Sequence, residues 1–529
     1  MDELDAHQQD IIRLVVNGGV NAFVTGAGGV GKSKTISEMV KQLIAKGKRV
    51  VVIAPTGVAA LNVKGKTIHA WAKIRLGKDP AADYIARAVK YRGRRPVRKF
   101  ECDDAMARFI NTDVLIFDEI SMVSAGLFAK IDVMARELRL PRGIPTYGLR
   151  QYILERINEP GTPFGGMQVV VCGDFFQLPP VDDNSDRDFP KCWRCGGAGH
   201  VEDADERIYK CTVCATIFCG KARYSFQADP EGRNRWKECN FVFCELTKVH
   251  RQKDSEFVKM LNRFRLGNVL PEDIATLSSL SRSLPTTPNG MQPTKLLSTN
   301  EEVNAVNSVN YMRCRGKEYI YNMHKSSVGK YGEKLLDNAV RNSPFEVRVR
   351  LKVGAQVMLR FNLSLDHGLC NGTCGVVTGF VDVSDPEALK ECGANTMGLG
   401  AAMMPRFGTV FPIISFKITG EKEPFVTIIG PQEINDEDTY GGVTSSVRII
   451  QIPVNLAWGI TIHKSQGMTL PYVRMNLSRC FDKGQAYVAL ARAASMDGLQ
   501  VEAFDPHRIF CDEEVVEFYD ECRGDGMKE

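Results

Sequence analysis

Residues 21–35 read NAFVTGAGGVGKSKT: an apolar run, a glycine-rich loop and the start of an amphipathic segment. Gly26 to Ser33 match the pattern G-x-x-x-x-G-K-[ST]. The apolar Ala22-Phe23-Val24 predicts a buried strand, and Ile36 to Ile44 carry apolar residues at helical spacing. Strand, loop and helix in that order are the context the pattern requires. Along Gly26, Ala27, Gly28, Gly29, Val30 and Gly31 the glycines let backbone N–H groups close around phosphate oxygens. The helix N-terminus at Lys32, Ser33 and Lys34 adds a favourable partial charge. Lys32 is placed to reach the β- and γ-phosphates, and the Ser33 hydroxyl to ligate Mg²⁺. The stretch implies a nucleoside triphosphate site.

Two further apolar runs end in residues suited to the same ligand. Asp113 to Glu119, DVLIFDE, predicts a buried strand closed by paired acids. Adjacent carboxylates at a strand end are costly unless a cation sits there, which suits Asp118 to Mg²⁺ and Glu119 to polarising the attacking water. Gln168 to Cys172 predicts a third strand, followed by GDFFQLPP, where Gln177 can hydrogen-bond both that water and the γ-phosphate. Three strand ends converging on one nucleotide make a RecA-like ATPase core. Arg49 to Ala54 is another strand run, ending in Pro55-Thr56-Gly57. Function gathers at the carboxyl ends of strands in open α/β sheets, so Thr56 and the Gly57 backbone are candidates for a nucleic-acid backbone. Upstream, Leu4 to Val16 predicts a short amphipathic helix whose Gln8 could read an adenine edge or simply face solvent.

Composition bounds the rest. At 529 residues the chain exceeds one core, and about three or four domains are expected. Hydrophobic residues at 44% and charged residues at 25% describe ordinary globular protein, with no apolar run long enough to span a membrane. The acidic start, MDELDAHQQD, has neither a signal core nor an Arg-rich transit pattern. A net charge of +5 requires any polyanion to be met by local basic surface. The densest basic stretch, KYRGRRPVRKF at 90–100, interleaves aromatics with cations, as single-strand grips do, though a solvated loop has the same look. Sixteen cysteines beside a nucleotide loop point to reduced thiols and metal, hence to an intracellular setting.

GAGGVGKS, APTGVAALN, TIHAW, DEISMVSAGLFAKID, FGGMQVVVCGDFFQLPPV, ELTKVHRQ, NLAWGITIHKSQGMTL and AYVALARA follow one another in the order seen in superfamily 1 helicases. With them the chain resembles the Pif-type (petite integration frequency) DNA helicases, relatives of RecD, across most of Leu4 to Tyr519. The resemblance implies ATP-dependent DNA unwinding with 5′→3′ movement along a single strand. Its settings are replication, repair, recombination and telomere maintenance, in nucleus or mitochondrion, cytoplasm or viral factory according to source. It implies that Gln8 contacts adenine, that Gly467 lies at the nucleotide, and that Arg251 and Arg492 are arginine fingers. It also implies DNA contacts at Pro55, Thr56, Gly57, His69, His463, Lys464 and Ser465, with single-stranded and forked duplex DNA as partners and a monomeric chain off DNA. Ala491 replaces the family's usual Ser, and His250 stands where an aromatic is common.

One feature lies outside that family pattern. Cys192-x-x-Cys195 and Cys211-x-x-Cys214 are separated by fifteen residues, the spacing of a zinc ribbon. Four thiolates close a site, so the Zn²⁺ would be structural, with His200 and Cys219 as substitute ligands. An insertion of roughly forty residues needs such a staple. It could grip DNA, dock a replication or repair protein, or only brace the core.

The expected fold is therefore α/β, with two RecA-like P-loop core domains, a small β-barrel accessory domain and an inserted zinc ribbon. Residues 1–183 form the first core, with an accessory segment at about 66–110, and 184–222 the ribbon. Residues 223–344 complete the first core and begin the second. Residues 345–448 form a small β-barrel, suggested by the Asn-Gly and glycine turns between Leu351 and Phe380, and the resemblance implies that it is Src-homology-like. Residues 449–510 complete the second core, and 511–529 are a tail, helical until Arg523. Two other functions share these residues: an ATP-gated nucleic-acid clamp, and an RNA-directed remodeller.

Overall fold

The structure is a computed structural model. It describes residues 4–74, 81–90, 105–139, 161–180, 199–203, 208–211, 217–219, 223–229, 232–284, 290–329, 332–364, 367–396, 399, 407–418, 423–440 and 443–525. The chain divides into two compact units. The first comprises Met1–His250, Thr439–Gly442 and Asp512–Glu529, and the second Arg251–Asp438 and Val443–Cys511.

The first unit begins with helix α1 (Ala6–Gly18), capped by the Asp5 side chain and stopped by Gly19 in the left-handed conformation. It continues through β1 (Ala22–Thr25), α2 (Lys32–Ala45), β2 (Val50–Ala54), α3 (Gly57–Asn62), β3 (Lys66–Thr67) and α4 (Ile68–Ala72). Then come α5 (Ala81–Lys90), α6 (Ala105–Ile110), β4 (Val114–Phe117), α7 (Ala125–Leu138) and β5 (Gln168–Cys172). Strands β6 (Gly199–Asp203), β7 (Ile208–Cys211) and β8 (Ile217–Cys219) form a separate antiparallel sheet, and β9 (Val242–Glu245) closes the main one. The main sheet runs β3-β2-β4-β5-β1-β9, with every neighbouring pair parallel.

Strand β1 shows how sequence makes the layers. Successive side chains face opposite sides of a sheet. Ala22 and Val24 join Ile11, Val15, Ile36 and Met39 in the core beneath α1 and α2. Phe23 faces the other way, into an aromatic layer with Phe175, Trp236, Phe243, Phe518 and Tyr519. A strand covered on both faces reads as one continuous apolar run.

In the second unit, a four-stranded parallel sheet pairs Gly459–Thr461, Thr294–Leu297, Val473–Asn476 and Leu499–Ala503 in that order. A five-stranded antiparallel sheet runs through Phe425–Ile428, Val410–Phe416, Cys374–Asp382, Gln356–Leu359 and Val454–Leu456. Two smaller sheets use Tyr319–Asn322 with Arg348–Leu351, and His324–Val328 with Val443–Gln451 and Gln432–Tyr440. The β-rich region thus takes strands from before residue 345 and after residue 448, because its pairings are non-local. Among the described residues no helix is long and apolar enough to cross a membrane.

Candidate nucleotide and nucleic-acid sites

The loop between β1 and α2 is held from several sides. Gly31 caps α2 at φ 85°, and a side chain there would meet the Gln8 amide at 2.6 Å. At Gly26, φ 138°, an added Cβ would lie 2.2 Å from the Leu246 carbonyl oxygen, so only glycine fits. Lys32 Nζ donates to the carbonyls of Gly26 at 2.8 Å and Ala27 at 3.1 Å, which holds the ammonium within the loop. Gln8 is buried; its Oε1 accepts from Asp5 N at 3.0 Å and its Nε2 donates to Val30 O at 3.3 Å. The His250 N–H donates to Gly29 O at 2.8 Å, while its Nε2 pairs with Asp5 at 3.1 Å. Asp5, Gln8 and His250 therefore fasten α1 to the loop. The structure gives Gln8 this positioning role, which its sequence context did not disclose.

The acid pair ends β4. Burial first, then the neighbouring Glu119, pushes the Asp118 carboxyl up to about 7, against the pull of Lys32. A site that penalises a lone carboxylate in this way suits a cation, so Asp118 and the Ser33 hydroxyl fit Mg²⁺ by their chemistry. Glu119 is left-handed at φ 52°, a conformation that costs a non-glycine residue about 1 kcal/mol or more and clusters at functional sites. The flanking bonds Asp118 N–H to Ile53 O (2.8 Å) and Met122 N–H to Glu119 O (3.1 Å) hold it there. After β5, Gln177 is buried, its amide N–H donating to Asp174 O at 2.9 Å. Burial pushes the Cys172 thiol, at the end of β5, well above the usual range, so it is an inert filler there.

Helix α7, within the stretch that marks the helicase resemblance, carries a buried ionic network. Asp132 accepts from Arg136 (2.9 Å), Arg235 (3.1 Å) and the Phe164 amide (2.7 Å), while Arg235 also bonds Asp229 at 3.2 Å. Removing one member of such a network strands a buried charge, at a cost of about 3–5 kcal/mol. The Arg223 carbonyl accepts from Ala125 N–H at 2.8 Å, so the chain after the cysteine insertion is docked on α7.

The second unit gathers cations. Arg251 donates to the Ala491 carbonyl at 2.9 Å, and Gln252 to Ala493 at 2.9 Å. Arg492 is buried, its guanidinium donating to Val488 O at 2.9 Å and to the carbonyls of Ser465 and Met468 at 3.4 Å each. Both candidate fingers thus meet at one turn, which also holds the His463-Lys464-Ser465 segment. Burial lowers the His463 imidazole below its usual range, with Asp482 opposing. Gly467 is left-handed at φ 78°.

The other candidate DNA residues stand at strand ends of the first unit. Thr56 Oγ1 accepts from Ala59 N–H at 3.2 Å at the start of α3, and His69 lies in α4 behind its cap Thr67. Of the basic stretch, only Lys90 falls among the described residues. Cys192, Cys195 and Cys214 lie outside them, and Cys211 ends β7.

The chain is similar to known proteins in sequence and in fold. A family model described as PIF1-like helicase matches residues 3–192, and one for the DNA helicase Pif1 2B domain matches 336–380. The ATP-dependent DNA helicase PIF1 of Emericella nidulans is 32% identical over 540 residues, covering 97% of this chain and 62% of that protein. The crystal structure of Pif1 helicase from Candida albicans is 31% identical with a TM-score of 0.70, covering 98% of this chain and 100% of that one. The chain belongs to the PIF1-like helicase family. It spans about three fifths of the length of the relatives named PIF1. A Bacteroides Pif1 crystal structure bound to ssDNA shares the fold, with a TM-score of 0.59 at 24% identity over 99% of this chain and 98% of that one.

Proposed function

We propose that this chain is an ATP-dependent DNA helicase that moves 5′→3′ on single-stranded DNA and separates duplex. One observation carries the reading: the segments holding Lys32, Asp118 and Gln177 follow the carboxyl ends of β1, β4 and β5, neighbours in one parallel sheet. In the reaction Lys32 neutralises the β- and γ-phosphates, Glu119 takes a proton from the attacking water, and Gln177 orients that water. Ser33 and Asp118 would hold Mg²⁺, which supplies neutralising charge to the phosphates. Arg251 and Arg492 stabilise charge on the transferring phosphoryl group, a task for fixed guanidinium groups. Gln8 and Gly467 complete nucleotide binding. Pro55, Thr56, Gly57, His69, His463, Lys464 and Ser465 hold the DNA strand.

Phosphate release from ATP, with and without a single-stranded oligonucleotide, tests this. DNA is expected to stimulate turnover, and Lys32→Ala to abolish it while strand binding persists. A Lys32→Ala protein that still hydrolyses ATP would remove the phosphate assignment.

The insertion carries a structural Zn²⁺ on Cys192, Cys195, Cys211 and Cys214. The antiparallel β6–β7 pairing supports the reading, because it sets Gly199, four residues after Cys195 in sequence, opposite Cys211. Metal analysis of the purified protein should find about one Zn per chain. A folded but metal-free insertion would refute the ribbon. The antiparallel sheets of the second unit supply the accessory barrel, a brace for DNA or for the other core domain.

A further inference from the structure

Helix Glu513–Asp525 follows the last strand of the second unit but belongs to the first. Val515, Phe518 and Tyr519, at helical i, i+3, i+4 spacing, form its inner face. Phe518 stacks on Phe226, with ring centroids 4.0 Å apart and planes at 8°. Tyr519 is fully buried, and its ring packs on Phe176 at 4.8 Å. One turn on, Arg523 grips both carboxylate oxygens of Glu245, at 3.0 and 3.1 Å, at the end of β9.

The Tyr519 hydroxyl lies between two loops. It is 2.5 Å from Thr25 Oγ1 and accepts from the Phe175 N–H at 3.3 Å. The amide can only donate, so the phenolic oxygen accepts there, and either hydroxyl can donate in the pair with Thr25. Thr25 immediately precedes Gly26, and Phe175 lies two residues before Gln177. The strands that carry them, β1 and β5, are neighbours with Val24 opposite Cys172. Phenylalanine would fill the same slot without a buried hydroxyl to satisfy. What the hydroxyl adds is a bond to each chemistry-bearing loop.

We infer that Tyr519 is a positioning residue for ATP hydrolysis, its hydroxyl fixing the phosphate loop and the sensor loop in one register. Gln177 is thereby set against the phosphates that Lys32 binds. The inference rests on the nucleotide-site reading above.

Steady-state ATP hydrolysis with oligo-dT as activator tests it, using Tyr519→Phe, Thr25→Val, their double mutant and Thr25→Ser. Tyr519→Phe removes both hydrogen bonds of the bridge, and a kcat fall of about 2- to 10-fold is expected. KM for ATP should move by less than about twofold, the signature of an interaction used in the chemical step. Thr25→Val should match Tyr519→Phe, the double mutant should be no worse than either, and Thr25→Ser should keep wild-type kcat. A Tyr519→Phe protein with a lower melting temperature but unchanged kcat and KM would overturn the inference. Lys32→Ala, run alongside, separates the two failures. Turnover by Lys32→Ala sinks the nucleotide site itself, whereas an inactive Lys32→Ala beside an unaffected Tyr519→Phe sinks only the role of Tyr519.

Discussion

The six-stranded sheet of the first unit and the four-stranded sheet of the second are both parallel, yet they carry opposite chemistry. The first is topped by a glycine loop, a lysine and an acid pair of which Asp118 is buried. The second is bordered by Arg251, Arg492, His463 and Lys464, with its arginines fixed on backbone carbonyls. Two copies of one kind of scaffold have thus become unequal partners. On the proposed reading, one binds phosphate and metal and the other presents fixed positive charge. Fold alone would not have predicted the division, because it lies in the loops rather than the strands.

Three perturbations probe that division, and their expected effects shrink in turn. Lys32→Ala, in the phosphate-binding sheet, should abolish ATP turnover to the detection limit of a phosphate-release assay. If the second unit's arginines only brace their turn, they should matter little to chemistry. If Arg492 is a finger, Arg492→Ala should retain nucleotide binding yet lose on the order of 10³-fold in kcat. Single-turnover hydrolysis and fluorescent-nucleotide titration measure the two quantities separately, and unchanged turnover would reduce the second sheet to a scaffold.

The smallest effect concerns the acid pair as a stability cost. Burial raises the Asp118 pKa to about 7, above its unfolded value. Protonation therefore favours the folded state, and that contribution is lost as pH rises through about 7. With chelator present and no nucleotide, Asp118→Asn should raise the melting temperature at pH 8 by a few degrees, of the size a gain of about 1 kcal/mol gives a large domain. The gain should shrink as pH falls to 5. A gain equal at both pH values would mean that Asp118 does not titrate as its burial implies.

Much of the first sheet was legible because its evidence is local. Each strand, its end and its reactive residue lie within about ten residues of sequence, as in VLIFDE and VVVCGDFFQ. The positioning shell was not legible, because its contacts join distant segments. Tyr519 meets Thr25 across almost the whole chain, and its helix reads as an acidic tail because only Val515, Phe518 and Tyr519 show its buried face. Asp132 looks like one acid in a helix until Arg235 arrives from beyond the insertion. The β-rich region was blurred for the same reason: Gln356–Leu359 pairs with Val454–Leu456, and His324–Val328 with Val443–Gln451. Gln8 stands out in its helix as a polar candidate, but its bonds to Asp5 and Val30 follow from loop geometry that no spacing encodes.

The most direct measurement is ATP-driven unwinding of a duplex bearing a 5′ single-stranded tail, beside a 3′-tailed control and a matched RNA-tailed substrate. A helicase of this polarity should unwind only from the 5′ DNA tail, and Lys32→Ala should not unwind at all. DNA-stimulated hydrolysis with no unwinding of either DNA would contradict strand separation and leave a nucleotide-gated clamp. Unwinding confined to the RNA-tailed substrate would contradict DNA as the polymer.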